Sequence, residues 1–491
     1  MRILRMEIHQ SPPSMGSDEN SEANELVLEN TDHENARLSL SDVEVVEEGE
    51  FDEPVELVGV APAESDSDPE TEAEEATQAV TALEQFLRVA EQEEEPLGED
   101  DPAWKLTQDM KSDEALEQLT AELASDPENE ELRLKVAIAH QRAGNFEMSK
   151  QVLTELVKEF PANLVARRYL AISLMHLGEW DEGLLEFETS RGPLTPLQAE
   201  FCEDISRLWT GQDLKGKHIV VVSNGRQSDQ IQFSRYINEF RKLLPRKVGF
   251  VSDPEMVELM RSLREINRVD SQLFEPFDYF IPVESLPLRL NASPDSIPTA
   301  PYLHCSPRRV EARKSQFKLA KPLLGICWRD HQPEGPDEDA VDYRSQANSI
   351  DLEPLEWHLR ELAIDYDLIS FQQNLRLDER KVLNSCGCRV LEEDAFNNFE
   401  DIAELLCCLD SLITVESPIA HLAGAMGLEG HVLLPFVSDW KWGIEDGVSQ
   451  WYPSLKIHQK QSEDCWRDCF SAVIDEVRVS SSLSAENRKA S

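Results

Sequence analysis

The sequence predicts an α/β protein with two lobes on parallel sheets, preceded by an all-α repeat segment and an acidic leader. Three observations support this. Short β-branched runs alternate with amphipathic helical stretches over residues 214–478, a 34-residue spacing recurs over residues 110–195, and the first 101 residues carry 31 acidic against 4 basic side chains. Strands that alternate with helices form parallel sheets, because each crossover helix returns the chain to the same edge.

Residues 1–105 form the leader, which we expect to be disordered because its acidic, Ser- and Pro-rich stretches offer little to bury. Val80, Leu83 and Leu87 recur there at helical spacing. Two interpretations stay open: a helix that docks on a partner, or a transient helix in a solvated tail. The formal charge of −49 over 491 residues excludes binding to nucleic acid or anionic membrane over the general surface.

Several functional classes are disfavoured by missing motifs. No apolar run approaches the ~20 residues of a membrane span, and the opening decapeptide lacks the apolar region of a secretory signal. The nine cysteines are scattered without a C-x-x-C pair, so we expect free thiols, no metal site and a cytoplasmic location. Neither a dinucleotide G-x-G-x-x-G nor a P-loop is present.

Residues 106–213 are predicted to form helical repeats with a capping helix. Several pairs of residues are 34 positions apart: Pro127 and Pro161, Asn129 and Asn163, Ala137 and Ala171, Gly144 and Gly178, Phe146 and Trp180. This period resembles the tetratricopeptide repeat. About two and a half repeats are visible. Since fewer than ~3 are marginal alone, the apolar stripe Leu197, Phe201, Ile205 and Leu208 is expected to cap them.

The α/β part divides into two series that join near Ser306–Pro322, giving lobes at residues 214–315 and 316–478 and a disordered tail at 479–491. The predicted strands are His218–Ser223, Lys247–Val251, Phe277–Ile281, Leu323–Trp328, Asp367–Phe371, Arg389–Leu391, Ser411–Val415 and His431–Leu434. The predicted helices run through Ile231–Phe240, Pro254–Arg264, Pro354–Ala363, Phe399–Leu409 and Pro418–Met426. Ligands bind at the carboxyl ends of parallel strands, so a cleft between the lobes is the expected site.

The stretch Ser411–Gly427 carries the strongest chemical signal. A strand runs directly into a helix with Ser417 as N-cap and Pro418 in the first turn. The free amides and positive dipole end of such a helix favour a phosphate. Glu416 would accept hydrogen bonds from sugar hydroxyls, because a carboxylate repels a diphosphate. For His421 a phosphate contact and a structural role both remain open.

Five stretches together resemble one family. They are SDQIQFSRY (Ser228–Tyr236), FDYFIPVESLPLRL (Phe277–Leu290), TVESPIAHLAGAMG (Thr414–Gly427), LLPFVSDWKWG (Leu433–Gly443) and WYP (Trp451–Pro453). They are similar to the heptosyltransferase-like GT-B glycosyltransferases that are fused to tetratricopeptide repeats in bacteria, and more distantly to O-linked N-acetylglucosamine transferases. The resemblance implies two Rossmann-like lobes.

The resemblance further implies metal-independent sugar transfer from a nucleotide-diphosphate donor on the C-terminal lobe to an acceptor on the N-terminal lobe. We expect the repeats to present the hydroxyl of a protein or glycan as that acceptor. The nucleotide-sugar is a substrate, and no cofactor is implied. Asp229 matches the general base, although a helix-starting acid is the open alternative. Further matched positions are Glu416, Ser417 and His421 at the donor turn, Gln372 near the nucleotide, and Asp439, Trp440 and Trp442 at the cleft mouth.

The sequence also departs from the family pattern. Ser228 replaces a glycine, Glu416 an aspartate and Asn348 an arginine. Arg329 or Arg344 could supply the missing cation, since an arginine fork suits a diphosphate. These departures leave a second hypothesis open, a non-catalytic repeat scaffold with a degenerate transferase domain.

Overall fold

The computed structural model describes residues 26–28, 36–38, 111–190, 205–223, 225–272, 274, 276–317, 319–329, 348–352, 355–391, 393–396, 398–445, 447–461 and 466–490. They belong to two compact units, residues 1–68 and 69–491. In the first unit, strands β1 (Leu26–Leu28) and β2 (Ala36–Leu38) pair antiparallel. The rest of the predicted leader, including the Val80 segment, lies outside the described residues.

The second unit begins with five helices, each packed on the next. They are α1 (Ser112–Ser125), α2 (Glu130–Arg142), α3 (Phe146–Glu159), α4 (Leu164–His176) and α5 (Trp180–Thr189). The 34-residue period reappears as helix starts at 112, 146 and 180, and again at 130 and 164. Gly144 and Gly178 hold positive φ angles of 76° and 80° at equivalent turns, which glycine adopts without steric cost. Of the predicted cap, Leu197 and Phe201 fall outside the described residues.

The N-terminal lobe contains a four-stranded parallel sheet in the order β5-β4-β3-β6. Its elements are β3 (His218–Val222), α6 (Gln227–Phe233), β4 (Lys247–Val251), α7 (Val257–Met260), β5 (Arg268–Asp270), β6 (Tyr279–Pro282) and α8 (Leu286–Arg289). Short 3-10 helices lie at Ile205–Arg207, Ser234–Leu243, Pro254–Met256, Val283–Ser285 and Pro294–Ser296. Strand β3 is buried along all but its first residue, and a strand that is apolar on both faces suits this central position.

The C-terminal lobe contains the larger sheet, in the order β12-β13-β14-β11-β10-β7-β8-β9. Its elements are α9 (Pro307–Lys314), β7 (Leu323–Cys327), α10 (Glu356–Asp365), β8 (Asp367–Ser370), α11 (Leu377–Ser385), β9 (Arg389–Val390), α12 (Phe399–Leu406), β10 (Ser411–Val415), α13 (Pro418–Ala425), β11 (Gly430–Leu434), β12 (Ile444–Glu445), β13 (Val448–Ser449), β14 (Leu455–Gln459) and α14 (Arg467–Ala490). Two further 3-10 helices span Glu393–Phe396 and Trp440–Trp442.

The predicted α/β fold with two Rossmann-like lobes is confirmed. Strands β4 and β10 have the predicted bounds, whereas β5, α11, β14 and α14 were not predicted. Helix α14 continues to Ala490, through residues expected to form a disordered tail. Among the described residues, no helix combines the length and apolar character that crossing a bilayer requires.

The repeats and both lobes meet in one aromatic junction, formed by Trp180, Phe233, Trp440 and Trp451. Trp180 of α5 stacks on Trp451 with ring centroids 5.6 Å apart and meets Trp440 edge-on at 5.6 Å. Phe233 of α6 lies 6.4 Å from Trp440. All four residues belong to a single apolar core that extends from the last repeat through both lobes.

Buried Arg235 holds the lobes together beside this junction. Its guanidinium donates to the backbone carbonyls of Gln232, Pro298 and Trp451 and lies over the rings of Tyr302 and Tyr452. Pro298 belongs to the first lobe and Trp451 to the second. These bonds satisfy a charge that would otherwise be costly to bury.

Candidate functional site

The carboxyl ends of the strands position the candidate residues in both lobes. In each sheet the chain starts at a central strand (β3 or β7), moves to one side, and returns to pair on the other side with β6 or β10. That reversal creates a crevice beyond the strand ends where ligands bind in open α/β sheets. Asp229 follows β3, Arg329 follows β7, and Glu416 and Ser417 follow β10. The predicted residues therefore lie at the expected edges.

Helix α13 begins as predicted, with Ser417 as N-cap and Pro418 as its first residue. The Ser417 hydroxyl accepts a hydrogen bond from the Ala420 amide at 3.4 Å, and the His421 amide donates to the Ser417 carbonyl at 3.2 Å. Because Pro418 has no N–H, and the amides of Ala420 and His421 are already used, at most the Ile419 amide of this turn is available to an anion. The predicted phosphate site at the start of α13 thus offers fewer hydrogen-bond donors than a glycine-rich turn.

An ion pair joins the lobes at this helix. Asp229, on α6 of the first lobe, is buried and accepts from Lys441 Nζ of the second lobe at 2.6 Å. Asp439 Oδ2 lies 3.7 Å from the same ammonium. Helices α6 and α13 pack directly on each other, which explains how residues 212 positions apart meet. Two carboxylates thus lie around one ammonium in a largely buried site.

His421 is buried one turn into α13, where it stacks on Trp442 with centroids 4.8 Å apart and its Nδ1 lies 3.1 Å from the Tyr452 hydroxyl. Burial, together with the nearby Lys441 charge, lowers the pKa of His421 to about 3. The imidazole is therefore neutral at physiological pH and cannot attract a phosphate as a cation. The structural role left open for His421 fits this position better than the phosphate contact.

Arg329 and Gln372 are occupied by internal partners. The Arg329 guanidinium forms a forked pair with the buried Glu379, at 3.0 Å for each contact. The Gln372 side-chain carbonyl accepts from the Arg329 amide at 2.8 Å and the Trp328 amide at 3.2 Å. Both side chains fix the loop after β7. A diphosphate would have to compete with Glu379 for Arg329.

The two tryptophans expected at the cleft mouth are buried. Trp440 is 5% and Trp442 0% exposed, so they pack inside the molecule, one in the aromatic junction and the other against His421. Trp442 Nε1 finds no hydrogen-bond acceptor among the described residues. Of the remaining positions, Glu416 is half-buried, Asn348 is buried, and Arg344 lies outside the described residues.

Two residues of the site were not predicted. Lys441 lies within the matched DWKW run, but its role depends on a contact with the other lobe that the sequence does not reveal. Asp253, after β4, accepts from the Ser223 hydroxyl at 2.8 Å, and burial raises its pKa. It is a second carboxyl group at the strand ends of the first lobe. Its position two residues after the apolar strand β4 could have identified it as a candidate from the sequence.

No protein-family model matches the chain. The chain is 21% identical over 340 residues to Protein FlbA from Caulobacter vibrioides, covering 63% of this chain and 54% of that protein. It thus spans about half the length of the curated relative that it matches.

Three solved structures are also similar to the chain. Glycosyl transferase family 9 from Veillonella parvula has 12% identity and a TM-score of 0.38, covering 52% of this chain and 88% of that one. E. coli ADP-heptose LPS heptosyltransferase II has 12% identity and a TM-score of 0.37, covering 53% and 99%. O-GlcNAc transferase from Thermobaculum terrenum has 11% identity and a TM-score of 0.24, covering 81% and 90%.

Proposed function

We propose that the protein transfers a sugar from a nucleotide-diphosphate donor to a hydroxyl of a protein or glycan. The single observation that carries this proposal is the Asp229–Lys441 contact, at 2.6 Å, between the two lobes. It brings a carboxylate and a cation together beside the helix that follows β10. A glycosyl transfer needs both groups, a base for the acceptor and a positive charge for the leaving diphosphate.

The proposed reaction uses Asp229 as general base. The acceptor hydroxyl oxygen attacks the anomeric carbon, the bond from that carbon to the diphosphate oxygen breaks, and the hydroxyl proton passes to Asp229. The diphosphate leaves with the bonding electron pair and is stabilised by Lys441 and the start of α13. This chemistry requires no metal.

Donor binding would also release the base. In the free protein Lys441 holds the Asp229 carboxylate at 2.6 Å. A diphosphate would compete for the ammonium and so release this carboxylate toward the acceptor hydroxyl. In this proposal the repeats hold the acceptor, because α5 packs on the second lobe through Trp180 and on the first lobe through Glu188, which pairs with Arg289.

Two variants and one control test the proposal. Asp229→Asn should lower transfer from a responsive nucleotide-sugar by about 10²–10⁴-fold while donor binding persists. Lys441→Met should weaken donor binding itself. Lys150→Met removes a matched 2.6 Å lysine–carboxylate pair within the repeats and should leave donor binding unchanged.

The measurement starts with thermal shifts of the full chain against ADP-, GDP-, UDP- and CMP-sugars and the free nucleotides. Transfer and donor hydrolysis are then followed with each stabilising compound. If no compound raises the melting temperature and no sugar is released, the transferase proposal fails.

A second candidate, a non-catalytic scaffold, is favoured by one observation: the Arg329 guanidinium is already held by Glu379 in a forked pair. To bind a diphosphate, Arg329 would have to break two charge-assisted hydrogen bonds to this buried carboxylate, which would keep Arg376 as its remaining cation, and that exchange is costly. Under this alternative the protein has no sugar-transfer activity, and Asp229→Asn changes only its stability. The same set of nucleotides and nucleotide-sugars separates the two candidates.

A further inference from the structure

A cluster of metal-binding residue types lies away from the strand ends, on the sheet face beneath the last helix. His431 is on β11, His458 is on the adjacent parallel strand β14, and Glu476 reaches them from α14. One ligand atom from each residue lies within 4.8 Å of the others. The nucleotide-sugar proposal uses none of these three side chains.

The separations within the cluster suit one shared cation. His431 Nδ1 and His458 Nε2 are 3.0 Å apart, and His458 Nε2 lies 3.7 Å from Glu476 Oε2. Ligand atoms about 2.0–2.2 Å from a tetrahedral Zn²⁺ are about 3.3–3.5 Å from one another. The two separations bracket that value, so side-chain adjustments of a few tenths of an ångström would complete the geometry.

The strand pairing makes the arrangement rigid. His431 is opposite Lys456 and Leu433 is opposite His458, so the two imidazoles project from the same face at neighbouring positions of a paired ladder. Leu433 belongs to the apolar cluster with Val473 and Val477 of α14, and these contacts fix the helix over that face. His431 is buried and His458 and Glu476 are partly buried.

The two carboxylate oxygens of Glu476 have different partners, as in a metal ligand whose second oxygen is held by a hydrogen-bond donor. Its Oε1 pairs with Lys456, whereas Oε2 is directed to His458. A carboxylate that ligates through one oxygen commonly has the other held by a hydrogen-bond donor, which orients it. The Lys456 side chain is 52% exposed and can keep its charge directed toward solvent.

We propose that His431, His458 and Glu476 bind a divalent transition-metal cation, with Zn²⁺ as the probe. Two imidazoles and a carboxylate suit first-row metals such as Zn²⁺ and do not suit the oxygen-seeking Mg²⁺. Three protein ligands leave a fourth position for water. The cation would connect α14 to two strands of the sheet and stabilise the end of the chain.

The experiment uses the full chain after removal of metal with a chelator. Zn²⁺ binding is measured by calorimetry and by competition with a chromophoric chelator, for wild type, His431→Gln, His458→Gln, Glu476→Gln and the control His358→Gln. His358 is a matched control because it also contacts α14, packing on Phe470 with centroids 5.7 Å apart, yet lies outside the cluster. The melting temperature of each variant is read with and without Zn²⁺, so that a variant's own stability does not affect the comparison.

We expect one Zn²⁺ per chain at micromolar affinity or better, a raised melting temperature with Zn²⁺, and the same behaviour in His358→Gln. Each of the three cluster variants should weaken binding at least tenfold and lose the thermal shift. Equal binding by wild type and His458→Gln would place the metal on the many other acidic residues and overturn the proposal. Absence of binding by the wild type would overturn it as well.

Discussion

Burial determines the protonation state of His421. Its pKa falls to about 3 in the folded protein, mainly because the charged imidazole would be cut off from water. The unfolded chain has an ordinary histidine pKa near 6.5 and takes up the proton first. His421 therefore contributes stability that is fully present above pH ~6.5 and is lost as the pH falls toward 3.

Replacing His421 should flatten the dependence of stability on pH. Between pH 7.5 and 5 the wild type should lose about 2 kcal/mol more of its free energy of unfolding than His421→Gln, since at pH 5 the unfolded chain binds about one more proton than the folded protein. Urea unfolding at pH 7.5, 6 and 5 measures this difference. Parallel curves for the two proteins would contradict it.

The sequence predicted individual residues well where the role is local. Ser417 as N-cap and Pro418 in the first turn depend on neighbours in the chain, and both are observed. Lys441 and Arg329 depend on partners far along the chain, Asp229 and Glu379, so local patterns could not predict their pairing. Burial of Trp442 is likewise a consequence of tertiary packing.

Successive helices in the repeats differ in how they are capped, whereas helices 34 residues apart are capped alike. The side chains of Asn129 and Asn163 accept hydrogen bonds from the amides three residues later, at 3.0 and 2.7 Å. Asn145 precedes α3 without such a bond. A cap of this kind satisfies one of the orphan amides of the first turn.

Asn163→Ala and Asn129→Ala should each lower the free energy of unfolding by about 1 kcal/mol. Asn163 should be at the higher end, because its second hydrogen bond reaches Glu130 of another helix and is partly buried, whereas that of Asn129 is exposed and local. Asn145→Ala is the matched control and should change stability by under about 0.5 kcal/mol. Denaturant titrations of the three variants test the order. An effect of Asn145→Ala as large as the others would show that the caps are not the cause.

Two helical glycines allow close packing of different kinds. A Cβ on Gly424 of α13 would lie 2.3 Å from the buried Tyr452 ring, whereas one on Gly183 of α5 would meet the Met175 sulfur at 2.7 Å. The tyrosine ring is fully buried and rigid, but the methionine chain is flexible. The same added methyl group should therefore have different consequences.

Gly424→Ala should destabilise the protein by at least about 2 kcal/mol despite its better helix propensity. Gly183→Ala should stay within about 1 kcal/mol of wild type, since Met175 can move aside. Thermal unfolding of both variants tests this. Similar losses for the two would mean that side-chain flexibility does not decide the outcome.

At the scale of elements, β-branched composition located the buried strands β4 and β10, and the helices described between residues 112 and 189 begin at positions that follow the 34-residue spacing. Both signals are local and periodic. Strand β5 was not predicted, because its three residues are too few for any periodicity to show. The order of strands, which creates the crevice, comes from crossover connections and follows the general rule for parallel sheets.

The whole molecule depends on the aromatic junction for its connection between repeats and lobes. Trp180→Ala should cost about 3–5 kcal/mol and separate the unfolding of the repeats from that of the lobes. Phe146 occupies the equivalent position one repeat earlier and stacks on His176 within the array. Phe146→Ala is therefore the control and should keep the repeats coupled to the lobes.

Calorimetry distinguishes these outcomes, because separate units unfold in two transitions and a coupled molecule in one. A single transition for Trp180→Ala, at wild-type enthalpy, would show that other contacts hold the repeats in place. The Arg289–Glu188 pair between α8 and α5, at 3.4 Å, is the next contact to remove in that event.

Arg235 limits how such a two-lobed protein can move. A hinge rotation that separated the lobes would break the hydrogen bond of the Arg235 guanidinium to the carbonyl of either Pro298 or Trp451. The buried charge would then be less well satisfied in an apolar interior. Wide opening of the crevice is therefore costly in free energy. A ligand would have to enter through small rearrangements at the rim, so the rate of ligand exchange should follow the rotation of single side chains such as Lys441.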